Sequence, residues 1–217
     1  MASCFGASPR RQLLVIAALL FAAFPSFAAA LQDDQAESVP PEEYPIYDLV
    51  IQTKFLTSQT VLVLIDRMTV TKLGSDDNTP TPAFFEEHRF FGGAIPADAV
   101  TDFAVKARKS WRLESRFKVG VRYRFVSGDK IEEPEVSLAP LPVGRQQGKF
   151  TGYDPAQIGV LKFSRVGFNR RENQALVYVG DHRPDGSGGG FLVFLRRDGQ
   201  SWMIVDTEVL WAARAEP

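Results

Sequence analysis

The sequence predicts one α+β domain in which an antiparallel β-meander of about five or six strands packs against two helices. Three observations support this fold class. The chain has 217 residues, of which 45% are hydrophobic, and this is enough to bury a sizeable core. Its last third holds several segments of strand composition joined by short polar turns. Two earlier segments carry apolar residues at helical spacing.

The N-terminus, residues 1–30, has the features of a signal peptide. Arg10 and Arg11 precede an apolar stretch, residues 13–24, and small residues follow at 28–30. A helix of this apolar stretch would rise about 18 Å, which is too short to cross a hydrocarbon core of about 30 Å. We therefore expect export, cleavage and a periplasmic or extracellular location, with no transmembrane span after cleavage.

The rest of the chain is expected to form a leader and one domain. Residues 31–41 are polar and acidic and end in two prolines, which is typical of a flexible leader. Residues 42–217 would form the α+β domain. The only cysteine, Cys4, lies in the predicted signal peptide, so the mature chain would have neither a disulfide framework nor a cysteine-based zinc site. The formal net charge of −1 argues against a nucleic-acid partner.

The N-terminal half of the domain is predicted to hold both helices and the first strand. Residues 42–54 carry apolar side chains at i, i+3 and i+4, the spacing of one buried helix face. Residues 59–67 include a short run that is apolar on both faces, which favours a strand covered from both sides. Residues 96–110 predict the second helix, because Pro96 starts it and its acids and bases complement the helix dipole.

The middle of the chain is expected to contain one strand and one long irregular segment. Residues 116–126 alternate apolar and basic side chains, which predicts a half-exposed strand. Residues 127–155 are rich in proline and glycine. Because structureless loops of this length are uncommon in compact domains, this segment is either a lid-like excursion or contains a short element at 136–141.

The C-terminal third is predicted to be the β-meander itself. The Asp-Gly pair at 198–199 is a strong hairpin signal, and a type I′ turn there would place Leu195 opposite Trp202 and Phe191 opposite Asp206. Both faces are apolar near the turn, so we expect both to be covered. The four predicted strands are residues 158–168, 174–179, 190–196 and 200–211.

Four motifs in this third resemble a pattern found in uncharacterised secreted bacterial proteins. They are Gly-Phe-Asn at 167–169, Ala-Leu-Val-Tyr-Val at 175–179, Gly-Gly-Gly-Phe-Leu-Val at 188–193 and Trp-Met-Ile-Val at 202–205. The resemblance covers about residues 155–211, implies secretion and a β-meander, and carries over no functional residue. As a fold-level analogy alone, the predicted architecture is also comparable to cystatin-like and nuclear-transport-factor-like (NTF2-like) folds.

The strongest compositional signal for function is a basic segment, residues 106–124, in which Glu114 is the only acid. A basic face with aromatic residues between its charges can contact a polyanion, and Arg116, Lys118 and Arg122 are the main candidates. The partner would be an anionic lipid, an anionic polysaccharide or an acidic protein. The alternative is a solvated surface whose aromatic residues belong to the core. The segment contains the cations Lys106, Arg108, Lys109, Arg112, Arg116, Lys118, Arg122 and Arg124 and the aromatics Trp111, Phe117, Tyr123 and Phe125.

Two further residues are weaker binding candidates. His182 has acids and a serine close to it in sequence, although adjacency alone does not assemble an acyl-transfer site. Asp206 would lie among apolar neighbours in the predicted hairpin, which makes it a candidate functional carboxylate. The glycine-rich stretch 185–190 lacks the lysine and the following helix of a phosphate loop.

These patterns predict no catalytic set, no metal ligands and no cofactor. We therefore expect a secreted, non-enzymatic binding or structural domain that contacts an anionic partner through the basic segment. The alternative is a secreted hydrolase that uses carboxylates or His182 in a cleft under residues 127–155.

Overall fold

The computed structural model describes residues 36–74, 78–128, 130–132 and 157–215. The predicted signal peptide, the start of the leader and most of the 127–155 segment, with its possible element at 136–141, lie outside the described residues. The helices that the structure describes are α1 (Tyr44–Lys54), α2 (Pro82–His88) and α3 (Ala97–Lys106). The strands are β1 (Leu62–Asp66), β2 (Arg122–Ser127), β3 (Lys130–Ile131), β4 (Gln157–Phe163), β5 (Gly167–Phe168), β6 (Gln174–His182), β7 (Gly188–Asp198) and β8 (Ser201–Ala213).

The two predicted helices form where their apolar spacing places them. A 3₁₀ turn, Pro41–Glu43, leads into α1, and Pro45 lies in the first turn, where a missing N–H donor costs no hydrogen bond. Helix α1 buries Tyr47 and Val50 completely. Helix α3 follows Pro96 directly and buries Phe103 in the same way. Both helices are confirmed, although α3 ends at Lys106, four residues before the predicted end.

Helix α2 is an addition to the predicted architecture. The Thr81 hydroxyl accepts a hydrogen bond from the Phe84 amide at 3.2 Å and so caps the helix, and Pro82 occupies its first position. This Thr-Pro pair is a start signal that the sequence contains, but the helix has only seven residues and shows too little periodicity to stand out.

The sheet is larger than predicted, and only part of it is antiparallel. The described strands follow the order β3-β2-β1-β4-β6-β7-β8, and β5 pairs with β6. Strand β1 runs parallel to both β2 and β4, whereas the other pairs are antiparallel. The expectation of five or six antiparallel strands on two helices is therefore corrected to a mixed sheet of eight strands with three helices among the described residues.

The parallel pairs explain why the sequence pattern of β1 differs from that of an ordinary antiparallel strand. Its central residues Val63, Leu64 and Ile65 are all buried, so both faces of the strand are covered as expected. A parallel neighbour requires a long crossover connection, and α2 and α3 lie within the connection from β1 to β2.

The strand predicted over 116–126 begins later than expected. Strand β2 starts only at Arg122. Gly120 has a φ of +79°, a left-handed backbone conformation that interrupts an extended strand. The alternation of apolar and basic residues before Gly120 therefore belongs to an irregular segment, in which Phe117 and Val119 are nevertheless buried.

The sheet separates two hydrophobic clusters, one on each face. Val177 belongs to the cluster that contains Tyr47 of α1, whereas the next residue, Tyr178, belongs to the cluster that contains Phe103 of α3. Because side chains alternate along a strand, this division places α1 on one face of β6 and α3 on the other. The core of the meander is therefore covered from both sides.

The predicted register of the last hairpin is wrong. Leu195 pairs with Ile204 instead of Trp202, and Asp206 pairs with Phe194 instead of Phe191. The two-residue loop consists of Gly199 and Gln200, and only Gly199 has a positive φ, which is the pattern of a type II′ turn instead of the expected type I′. Near the turn the shift is two residues, so the predicted faces are preserved there. A bulge between the Phe194 and Leu195 pairs then changes the alternation.

None of the helices within the described ranges has the length and apolar character needed to span a bilayer.

Candidate functional site

The structure divides the basic segment, residues 106–124, among different environments. Lys106 donates hydrogen bonds to the Asp102 carboxylate at 2.7 Å and to the Val166 carbonyl at 3.0 Å. Lys109 forms an ion pair with Glu37 at 2.8 Å. These cations have local partners, so the segment does not present a uniform basic face.

The aromatic residues of this segment pack mainly into the protein. Phe117 and Phe125 are buried in the cluster that contains α1, with ring centroids 6.0 Å apart. Tyr123 is half-buried and packs on the edges of both rings. The alternative interpretation, that these aromatics are core residues, is confirmed for Phe117 and Phe125. Phe117 nevertheless contributes to the lining of a groove, which is described next.

Two of the three main candidates, Lys118 and Arg122, line one shallow groove. The groove has a volume of about 540 Å³, includes the apolar side chains of Val61 and Val121, and is lined by no acidic residue among those that the structure describes. Both cationic residues are exposed. We call this feature the basic groove. Its exposed cations produce a positive potential that acidic lining residues do not offset.

The backbone of Lys118 is held firmly although its side chain is exposed. Its amide donates to the Asp48 carboxylate at 2.8 Å, and its carbonyl accepts from the Gln52 side chain at 2.8 Å. Both partners lie on α1. Burial raises the pKa of Asp48, whereas its hydrogen bond from Lys118 acts in the opposite direction. Helix α1 therefore fixes the position of one wall of the groove.

Arg116, the third candidate, lies outside the lining of the basic groove. Its Nε donates to the Glu114 carboxylate at 2.7 Å, and both side chains are partly exposed. Hydrogen bonds from Ser38 and Arg116 lower the pKa of Glu114. The charge of Arg116 is thus paired with that of Glu114.

His182 lies at the end of β6, with its ring 5.1 Å from the ring of Trp211. Burial lowers the pKa of His182, and the charge of Lys162 lowers it further. The hydroxyl of Ser187, the nearby serine, donates to Asp185 at 2.6 Å. In the part of the chain that the structure describes, the serine is therefore bonded to an aspartate and not to His182, so the aspartate–histidine–serine set suggested by the sequence is not assembled.

Asp206 is exposed on β8, the edge strand of the described sheet. One of its carboxylate oxygens accepts a hydrogen bond from the Thr207 amide at 2.7 Å. The expected apolar surroundings required the register in which Asp206 faces Phe191, and that register is wrong. Asp206 lines neither the basic groove nor the larger cleft described next.

Sequence reasoning missed a larger cleft of about 960 Å³, which we call the Arg165 cleft. It lies between the turn Pro41–Glu43, helix α3, the chain that follows β5, and the hairpin of β7 and β8. Its residues come from four separate parts of the chain, so no local motif could indicate it. The resemblance motifs at 167–169 and 202–205 contribute Phe168, Asn169 and Trp202 to its lining, and the basic segment contributes Lys106.

The floor of the Arg165 cleft contains a buried ion pair. Arg165 donates to the two Glu43 oxygens through Nε at 2.9 and 3.1 Å and through Nη2 at 2.6 Å. Glu43 also accepts from the Tyr47 hydroxyl and the Val166 amide, each at 2.8 Å. Burial and the neighbouring Glu43 charge raise the pKa of Tyr47, so its hydroxyl remains a donor. The carboxylate of Glu43 is therefore saturated with hydrogen bonds.

One nitrogen of the Arg165 guanidinium has no hydrogen-bond partner among the residues described. The side chain of Arg165 is only 4% exposed, and its Nη1 makes no hydrogen bond to any residue that the structure describes. The guanidinium packs 4.0 Å from the ring centre of Trp111, which holds its plane in place. A buried donor without a partner costs about 1–3 kcal/mol, and more when the group is charged. Arg165 lines the cleft, so a ligand oxygen there could accept this hydrogen bond.

The described residues contain no group of three or more histidine, cysteine or acidic side chains arranged to hold a metal ion.

Comparison with known proteins finds no match: no protein-family model, no curated protein and no solved structure matches the chain.

Proposed function

We propose that this chain is an exported, non-enzymatic binding domain that contacts an anionic partner through the basic groove. The observation that carries the proposal is the pair of exposed cations, Lys118 and Arg122, in one groove without an acidic lining residue. Exposed cations attract a polyanion over a range of about a Debye length, and their contacts release condensed counterions.

The shape of the site favours a linear anionic chain over the other two anionic partners. A shallow groove lined by Val61, Val121 and two cations can accept one side of a single extended chain along its length. A layer of lipid headgroups presents charge to this groove but no apolar surface to its two valines. Carboxylated or sulfated polysaccharide offers regularly spaced charges and apolar ring faces, which match both components of the groove.

A binding function agrees better with the candidate residues than hydrolysis does. His182 packs on Trp211, and the serine closest to it in the loop is bonded to Asp185. Neither arrangement provides the nucleophile and base in contact that acyl transfer requires. The proposed site instead contains permanent charges and apolar surface.

We also propose that the antiparallel half of the fold is the part comparable to cystatin-like or NTF2-like domains. Strands β4 to β8 form a five-stranded antiparallel unit, with α1 and α3 on its two faces. The parallel strands β1 and β2 would then be additions to that unit. This comparison concerns architecture and carries no activity.

The proposal is tested with heparin as the polyanion probe, using salt-dependent retention of the full chain on a heparin column. We expect the double variant Lys118→Glu and Arg122→Glu to elute at much lower salt than the wild type. In solution, the slope of log affinity against log salt concentration should fall in magnitude by about two, one for each lost contact with a sulfate or carboxylate group.

The matched control reverses two exposed cations that do not line the groove, Arg108 and Arg171, to glutamate. This variant has the same net charge as the groove variant. If both variants lose retention equally, net charge and not the groove determines binding, and the proposal is wrong. Absence of wild-type retention at low salt would also contradict it. Retention on polyglutamate but not on heparin would assign the groove to an acidic protein instead.

A further inference from the structure

The Arg165 cleft has the features of a second binding site, independent of the basic groove and of its proposed partner. Its floor holds Arg165, whose guanidinium is more than nine-tenths buried and whose Nη1 has no hydrogen-bond partner among the described residues. The other guanidinium nitrogens that donate, Nε and Nη2, are occupied by Glu43. Both N–H bonds of Nη1 thus lack a partner among the described residues, on a side chain that lines the cleft.

The charge of the cleft argues against an ionic ligand. Four of its lining residues are cationic and five are acidic, so the charges nearly cancel. Arg165 is already neutralised by Glu43 at 2.6 Å, and Lys106 by Asp102 at 2.7 Å. An added anion would meet nearby carboxylates, whereas an added cation would meet the guanidinium. A neutral polar ligand avoids both costs.

The cleft also has an aromatic wall. The rings of Phe168 and Trp202 lie 5.9 Å apart at a tilt of 47°, and both side chains are half-buried. The cleft lining also contains hydrogen-bond donors and acceptors, including the exposed side chains of Gln200 and Glu42. A hydroxyl group both donates and accepts hydrogen bonds, so a ligand with several hydroxyl groups can use both kinds of partner.

We propose that the Arg165 cleft binds an uncharged saccharide. The apolar C–H face of a sugar ring would pack on Trp202, because Nζ of Lys106 lies 4.8 Å from the ring centre of Phe168. A ring or hydroxyl oxygen would accept a hydrogen bond from Nη1 of Arg165. The remaining hydroxyl groups would bond to the polar rim. A volume of about 960 Å³ is in the range of ordinary small-ligand sites and accommodates a disaccharide.

The test uses saturation-transfer difference NMR of the full chain with three neutral disaccharides, cellobiose, maltose and chitobiose, at millimolar concentration. We expect at least one of them to bind, with an affinity that does not change with salt. Trp202→Ala should weaken this binding about tenfold, since it removes the stacking surface. Met203→Ala is the matched control, because Met203 is the adjacent exposed residue and does not line the cleft.

Arg165→Lys tests the hydrogen bond itself, because lysine can keep the ion pair with Glu43 but has no second terminal nitrogen. We expect it to abolish detectable disaccharide binding while heparin retention is unchanged. Should this variant fail to fold, Gln200→Ala at the surface replaces it and should weaken binding severalfold. Binding of none of the three disaccharides, or binding that Trp202→Ala leaves unchanged, would overturn the proposal. Binding of only a charged sugar, such as glucuronate, would overturn it as well.

Discussion

The Arg165 cleft and the basic groove both contain arginine or lysine, but the charges of the two regions lie in opposite environments. In the cleft, Arg165 and Glu43 are buried, and their side chains are joined by three contacts of 2.6 to 3.1 Å. In the groove, Lys118 and Arg122 are exposed, and none of the described residues that line it is acidic.

This difference follows from desolvation. A buried charge loses its hydration and is tolerated only when a partner and hydrogen bonds replace it, whereas an exposed charge keeps its water. The cleft charges therefore hold the structure and leave Nη1 of Arg165 without a partner among the described residues. The groove charges contribute little to stability and act mainly through their field. The following predictions test this contrast, beginning with the largest expected effect.

Glu43→Gln should destabilise the protein by about 3–5 kcal/mol, since it leaves the Arg165 charge buried without its counter-ion. The measurement is urea unfolding followed by circular dichroism. Glu42→Gln is the control, because Glu42 is the adjacent residue but is exposed, and it should change stability by less than about 0.5 kcal/mol. Equal effects of the two substitutions would show that the buried pair does not stabilise the fold.

Substitution of two glycines, one near each region, should change stability through steric crowding or backbone strain and not through charge. A Cβ on Gly167 would lie 2.7 Å from backbone atoms of Phe103, so Gly167→Ala should push α3 away from β5 and cost about 1–3 kcal/mol. A Cβ on Gly120, beside the groove, would have nothing within 4 Å, but its φ is +79°. Gly120→Ala should cost only about 1 kcal/mol, from backbone strain.

The same unfolding assay measures both glycine variants, and disaccharide binding provides a second readout. Gly167→Ala should also weaken binding in the Arg165 cleft, because α3 forms one wall of it. A Gly120→Ala variant that is the less stable of the two would contradict the close approach of α3 to β5.

His182, half-buried against Trp211, should make stability depend on pH. Burial lowers its pKa in the folded state below the ordinary value of 6.5. Near and below that pH the unfolded chain binds a proton that the folded chain takes up less readily, so this residue contributes a loss of stability as the pH falls from 7 to 5. His182→Gln should reduce the loss, as measured by thermal unfolding at several pH values. An unchanged pH profile in the variant would contradict this assignment.

The smallest effect on stability is expected for the groove. Lys118→Glu with Arg122→Glu should shift the free energy of unfolding by no more than about 0.5 kcal/mol, because both side chains are exposed. The backbone hydrogen bonds that join Lys118 to α1 do not depend on its side chain. A loss above about 2 kcal/mol would show that these side chains support the fold.

Much of the local structure could be predicted from sequence because its signals are local. The spacing of Ile46, Leu49 and Val50 indicates α1, and the uniformly apolar centre of β1 indicates a strand with two covered faces. The pairing of β1 with β2 and β4 could not be predicted in this way, because it joins segments about 60 and 100 residues apart in the chain and leaves no periodic pattern.

The basic groove and the Arg165 cleft also differ in how well their residues could be predicted from the sequence. Lys118 and Arg122 lie four residues apart, so a count of charges along the chain was enough to select them. Glu43 and Arg165 lie 122 residues apart, and neither stands out from other charged residues in the sequence. Only the fold brings them into contact. The hairpin register failed for a smaller reason: the two-residue loop is Gly199–Gln200, one residue later than the predicted Asp198–Gly199.

The central claim is that exposed charge in the basic groove, and not net charge or the cleft, binds the anionic partner. The most direct measurement is the affinity of the full chain for a heparin oligosaccharide over a series of salt concentrations, for the wild type and for the groove double variant. We predict a steep loss of wild-type affinity with rising salt and a slope smaller in magnitude by about two in the variant. A heparin affinity that is independent of salt, or a slope unchanged by reversing Lys118 and Arg122, would contradict the account.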